Sequence, residues 1–224
     1  MRIRRRPLFL LALFALAFSG CDDEKKADSG LQGDGVAHTE TRDVPAFTRL
    51  SVGSRIDVSV VIGEPSKLEL RGDKNLLPHV TGKVENGTLK LDTDVKVKPN
   101  IPLTLKLRVP RLDGVSVSKG GSIAVEKLSA QKFEVQAGGG GKIRASGSAQ
   151  ELLVDGGDAG QVNLAKLPVQ SATVRLERAA RVELGYVEKL DVKLDGAARV
   201  VYEGTPEIKQ DIKGRARLVR RDSR

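Results

Sequence analysis

The chain has 224 residues, 38 Lys and Arg against 29 Asp and Glu for a formal net charge of +9, one cysteine and no tryptophan. A single cysteine excludes an intrachain disulfide and argues against a cysteine-based zinc cluster. The charge sits at the two ends, in Arg2, Arg4, Arg5 and Arg6 and again in Lys213, Arg215, Arg217, Arg220, Arg221 and Arg224. The body between them is near neutral, and Phe47, Phe133, Tyr186 and Tyr202 are too few for a base-stacking surface, so no nucleic-acid partner is expected.

At the N-terminus the arginines precede an apolar run from Leu8 to Phe18, the layout of a secretory signal. The run of about 11 residues is well short of the roughly 20 that a bilayer-crossing helix needs. Phe18-Ser19-Gly20-Cys21 then resembles a bacterial lipobox, which implies cleavage before Cys21 and attachment of diacylglycerol to its sulfur. An acylated sulfur is neither a thiolate nor a useful metal ligand. Residues 1–20 are therefore expected to be a lipoprotein signal peptide. The product would be held at the cell envelope by lipid on Cys21, with inner or outer membrane left open.

Residues 21–40 are polar and glycine-bearing, with Asp22, Asp23, Glu24, Lys25 and Lys26 ahead of Gly30, Gly33 and Gly35. They read as a flexible tether. Residues 41–224 read as one all-β domain, because from Val44 onward apolar clusters alternate with polar residues at the strand period. Ile56-Asp57-Val58-Ser59-Val60, Leu68-Glu69-Leu70 and Leu103 to Val109 all alternate. Asn86-Gly87 between two such runs predicts a two-residue type I′ hairpin. Only Asn75-Leu76-Leu77-Pro78 suggests a helical turn.

From about residue 111 the pattern repeats. Ile123, Ile143, Val162, Val182, Val200 and Leu218 recur at intervals of about 18 to 20 residues, a period suited to a structural repeat. Eight residues earlier stand Val115, Val135, Val154, Val174, Val192 and Gln210, and ten earlier stand Phe133, Leu152, Ala172, Leu190 and Ile208. Two before each anchor the residue is always small: Gly121, Gly141, Gly160, Ala180, Ala198 and Ala216. Two short strands per turn, joined by a tight bend and stacked on the next turn, account for this register. A β-solenoid is predicted, with a β-sandwich as the structural alternative.

Several segments resemble the head GIN domain family of bacterial lipoproteins and secreted proteins, described as autotransporter-type adhesins. They are Phe47-Thr48-Arg49-Leu50-Ser51-Val52, Gly72-Asp73-Lys74-Asn75-Leu76-Leu77, Glu85-Asn86-Gly87-Thr88-Leu89 and Val201-Tyr202-Glu203-Gly204-Thr205-Pro206. The resemblance covers essentially the whole mature domain and implies a β-helix-like solenoid with no catalytic or metal residues. Where the family has Gly-Ser-Gly at its bends, this chain has Lys119-Gly120-Gly121, Gly139-Gly140-Gly141 and Arg178-Ala179-Ala180.

Enzyme and cofactor motifs fail on inspection, and no cofactor is expected. Gly138-Gly139-Gly140-Gly141-Lys142 lacks the first glycine and the final Ser/Thr of a phosphate loop. His38 and His79 are not spaced as a metal pair, and the Asp155-Gly156-Gly157-Asp158 turn does not recur in the next rung as a calcium repeat would. Glu177 and Asp195, each five residues before its anchor, could meet across rungs as a glycosidase-like pair. Their arginine neighbours point instead to an ion-pair ladder.

Immediately before the anchors stand Ser122, Lys142, Gln161, Arg181, Arg199 and Arg217. In a solenoid these form a column rising about 4.8 Å per rung. Stacked like charges repel, so the column is either compensated by neighbours such as Glu177, Glu183 and Asp195 or open to an anionic surface. The sequence therefore points to a non-enzymatic adhesion or surface-interaction role. Lys142, Arg181, Arg199 and Arg217 are its candidate contacts to anionic polysaccharide, lipopolysaccharide or membrane headgroups. A scaffolding lipoprotein that binds an envelope protein through a sheet edge is the alternative, and a polysaccharide-acting enzyme is a weaker one.

Overall fold

The computed structural model describes residues 30–221. The expected signal peptide, Cys21 and the first part of the tether lie outside the described residues. In chain order the strands are β1 (Leu31–Gln32), β2 (Ala37–Arg42), β3 (Arg49–Val52), β4 (Asp57–Ile62) and β5 (Leu68–Asp73). A 3-10 turn at Leu77–His79, where the sequence suggested a helical turn, leads into the hairpin of β6 (Val80–Glu85) and β7 (Thr88–Thr93). Asn86 and Gly87 between them have φ of 50° and 72°, as a type I′ turn requires. There follow β8 (Val97–Lys98), β9 (Thr104–Val109) and β10 (Gly114–Val117). The repeat region contains β11 (Ser122–Ala137), β12 (Lys142–Gly156), β13 (Gln161–Lys166), β14 (Val169–Leu176), β15 (Arg181–Leu194), β16 (Arg199–Glu203), β17 (Glu207–Ile212) and β18 (Arg217–Arg220).

These strands stack into the two walls of a β-solenoid. One wall runs β7, β3, β10, the second halves of β11 and β12, β14, the second half of β15, and β17. The other runs β9, β4, the first halves of β11 and β12, β13, the first half of β15, β16 and β18. Every one of these pairings is parallel, whereas successive strands of a sandwich would pair antiparallel, so the sandwich alternative falls. The columns read from the sequence are the observed register: Ile123, Ile143, Val162, Val182, Val200 and Leu218 are direct partners in turn. So are Val115, Val135, Val154, Val174, Val192 and Gln210. Between the walls these columns form one continuous aliphatic core, with Phe133, Val154, Val174 and Val200 fully buried.

The small column has a steric cause. A Cβ at Gly160 would stand 2.3 Å from the Ala137 carbonyl oxygen, and one at Gly141 would stand 2.6 Å from a Val117 methyl. Each bend closes with a backbone bond, Gly141 N to Gly138 O at 2.8 Å and Gly160 N to Gly157 O at 2.9 Å. Gly138 to Gly141 is thus a stacked corner, not a loop around a phosphate.

Two expectations are corrected. The rungs begin well before residue 111: β3 and β4 form one, with Leu50 paired to Val115 and Val58 to Ile123. The stretch from β5 to β9, whose β7 and β9 stack on the outer side of β3 and β4, separates that rung from the later ones in sequence and hides the period. The tether expected to residue 40 is also folded over its second part, since β1 pairs with β8 and β2 lies antiparallel on β5. Polar bonds hold it. The buried Asp73 carboxylate accepts the amide N–H groups of Gly35 at 2.8 Å, Asn100 at 2.9 Å and Ile101 at 3.0 Å. Arg42 donates to the carbonyls of Leu77, at 2.7 Å, and Val80, at 2.5 Å. Apolar periodicity cannot register such contacts, because β2 is polar along its length.

Candidate functional site

Each residue of the predicted basic column starts a strand directly after a bend: Lys142 in β12, Gln161 in β13, Arg181 in β15, Arg199 in β16 and Arg217 in β18. The next residue is a core anchor, and alternation therefore turns these side chains outward. They are direct partners across the rungs, Lys142 to Gln161, Gln161 to Arg181, Arg181 to Arg199 and Arg199 to Arg217. All five are exposed. Asp57 lies on the other side of Ser122, whose hydroxyl donates to it at 2.5 Å, and this closes the column with an acid at its upper end.

The compensating partners expected for the column are engaged elsewhere or unpaired. Glu183 accepts from Arg221 at 2.9 Å, and Arg221 also reaches Glu203 at 3.0 Å. Those two carboxylates, by hydrogen bonding first and charge second, push the Arg221 guanidinium further up. Among the described residues Glu177 takes part in no ion pair, and the Asp195 carboxylate accepts only the N–H of Gly196, at 2.6 Å. Arg178 pairs with Asp158 instead, so the predicted ladder at Glu177 and Asp195 does not form among the described residues. Lys142, Arg181, Arg199 and Arg217 likewise have no ion pair among those residues. At ~4.8 Å spacing in water each stacked pair of like charges costs about 0.9 kcal/mol before salt screening.

Two depressions lie along this wall. One, of about 170 Å³, is lined by Lys142, Arg144, Gln161, Asn163, Arg181 and Glu183. The second, of about 490 Å³, is lined by Arg181, Glu183, Arg199, Val201, Arg220 and Arg221 among others. Arg181 and Glu183 belong to both, which makes one shallow cationic channel crossing the rungs. Arg144 and Arg221 flank the column; the sequence marks Arg221 only as part of the C-terminal basic cluster and does not mark Arg144. Their positions two residues past Lys142 and four past Arg217 place them on the same outward face, a signal the alternation contained.

Elsewhere, His79 Nδ1 lies 2.9 Å from an Asp94 carboxylate oxygen on the surface, and His38 is exposed in β2. Among the described residues no three His, Cys, Asp or Glu side chains converge as a metal cluster would require.

A β-solenoid of short parallel rungs, capped at one end by antiparallel strands and bearing a stacked cationic column, defines the class of this protein. Its family follows from residues 46–206, which match the family described as "Putative auto-transporter adhesin, head GIN domain"; the chain belongs to that family. No curated protein matches it. Among solved structures it is similar to a "putative adhesin" from Bacteroides fragilis, at 18% identity and a TM-score of 0.68, covering 85% of this chain and 99% of that one. A "putative adhesin" from Parabacteroides distasonis aligns at 19% identity and a TM-score of 0.54, over 86% and 100% of the two chains. A "Putative lipid binding protein" from the same species aligns at 15% identity and 0.56, over 86% and 99%. Identities this low establish the shared fold.

Proposed function

We propose that this protein is a lipid-anchored, non-enzymatic envelope protein that holds anionic polymers or lipid headgroups against its basic wall. The observation that carries the reading is the in-register stack of Arg181, Arg199 and Arg217, exposed and without ion-pair partners among the described residues. A repulsive column of this kind suits a ligand with anions repeated along its length, which engages several guanidinium groups at once and gains from multivalency. The adhesin descriptions of the family and of its structural relatives agree with such a role, as does the description of one relative as lipid binding. No helix among the described residues is long and apolar enough to cross a membrane, so attachment through acylated Cys21 is the anchor the reading requires.

Two measurements test it. Metabolic labelling with an alkyne fatty acid should mark the wild-type chain, and Cys21→Ser should abolish the label; labelling that survives the substitution removes the anchor. Retention on lipopolysaccharide and on phosphatidylglycerol vesicles should fall steeply with salt. The triple variant Arg181→Glu, Arg199→Glu, Arg217→Glu should lose it by at least about tenfold. Unchanged retention at low salt would sink the polyanion reading.

A second reading rests on the far end of the stack. All six residues of β17 are exposed, including Ile208 and Ile212, and its pairing is with β15. An envelope protein that adds a strand there would make this a scaffold. A cross-link from residue 210 to one defined partner, lost on Gln210→Pro, favours this reading.

A further inference from the structure

On the opposite corner of the solenoid, away from the cationic channel, two further depressions of about 480 Å³ and 550 Å³ share Ser129, Ala130 and Gln131 and form one trough. It follows the second bend of each turn and runs along the solenoid axis. Its floor is the stacked series Ala130, Ala149 and Val169, direct partners in successive rungs. On one side Ser129 and Ser148 are partners in register. On the other stand Gln131, Gln150 and Gln170, each one residue beyond a floor position, exposed and bonded through the side chain to nothing among the described residues. At the lower end Tyr186 is 54% exposed, the largest exposure of any aromatic side chain described. Its ring lies against the backbone of Gly204, where a Cβ would stand 3.1 Å from two ring carbons, so glycine at 204 is what lets the ring settle there.

We propose that this trough binds a neutral, unbranched polysaccharide lying along the solenoid axis. Three amides at the rung spacing, about 4.8 Å, offer a donor and an acceptor at intervals close to the length of one extended pyranose unit. Serine hydroxyls add a second polar row, and Tyr186 supplies a flat apolar face for a sugar ring and a hydroxyl at its edge. The stretch along Gln150 and Gln170 is lined by no cation, which a polyanion would need, and at the Gln131 end Arg49, Arg111 and Lys132 are each paired with Glu134 or Asp113. Around Gln150 and Gln170 the backbone is paired to both neighbouring rungs, so no peptide strand can be added at those two turns, whereas Ser129–Lys132 is paired to β12 alone. The site is independent of the basic wall in residues and in chemistry.

The test uses the full chain in non-ionic detergent. Isothermal titration with cellohexaose, mannohexaose and xylohexaose, beside the matching disaccharides, should find at least one hexasaccharide bound about tenfold more tightly than its disaccharide as successive rungs engage. Tyr186→Ala should weaken that binding about fivefold to tenfold and Gln150→Ala about threefold, both with an unchanged melting curve, since both side chains are exposed. Raising salt and the triple Arg→Glu change should leave it unaltered, which separates this site from the basic wall. Failure of all three hexasaccharides to bind overturns the proposal. So does binding indifferent to Tyr186→Ala and Gln150→Ala together, or binding that follows the arginines.

Discussion

Glu134 shows how far a single side chain in this wall depends on neighbours distant in sequence. It accepts from Arg49 at 2.7 Å and lies 3.0 Å from Lys132. These two, Arg49 foremost, hold its carboxyl down at about 2 from an ordinary 4.5. A depressed carboxyl contributes stability that is fully present above the unfolded value and is lost as pH falls through the folded one. The melting midpoint should therefore drop between pH 4.5 and 2, and Glu134→Gln should flatten that slope. The pair is partly solvated, so the contribution is about 0.5–1 kcal/mol; a variant with the wild-type acid slope contradicts the assignment. Gly160 is decided by sterics instead. Gly160→Val should cost about 1–3 kcal/mol in urea unfolding, because the added carbon meets the Ala137 carbonyl. A neutral result would mean that the corner can open. The small column was legible in the sequence as a run of Gly and Ala at fixed offset. Glu134 was not, because nothing local marks Arg49 as its partner.

At the scale of strands and bends, the corners hold their shape against local preference. Asp158 and Ala159 have φ of 46° and 61°, the left-handed region that costs a side-chain-bearing residue about 1–2 kcal/mol. Stacking enforces it: Gly140 N donates to Asp158 O at 3.0 Å from the rung before. Ala159→Gly relieves the strain and gives back part of it in chain entropy, for a net gain of about 0.5–1 kcal/mol. The melting midpoint should rise by about 1–4 °C; a fall would show that Ala159 packs better than it strains. The strands themselves were readable wherever one face is apolar. The folded part of the expected tether was not, since Asp73, Arg42 and Asn75, which accepts from Asp34 N and donates to the Gln32 carbonyl, fix it through hydrogen bonds that leave no hydrophobic period.

For the molecule as a whole, stacking makes stability a sum over neighbouring rungs. A central rung has partners on both sides, and the last has one. Phe133→Ala, at a fully buried position, should cost about 3–5 kcal/mol, whereas Ile212→Lys on β17, the exposed end of its wall, should cost under about 0.5 kcal/mol. Equal losses in denaturant titrations would contradict a rung-by-rung architecture. The same stacking converts one residue type per turn into a line. On one corner that line is cationic, and on the other it is rich in amides.

By itself the sequence determined that the chain is all-β, which residues form the repeated columns, and where basic residues recur relative to them, because periodicity is local and each turn carries the same steric demand. The tertiary structure decided which carboxylates stay away from the arginines, that residues 49–62 complete the stack across a long excursion, and that Gln131, Gln150, Gln170 and Tyr186 border one trough. Those outcomes depend on the order in which rungs lie in space. That order is set by core burial and strand pairing across the whole chain, and no window of sequence contains it.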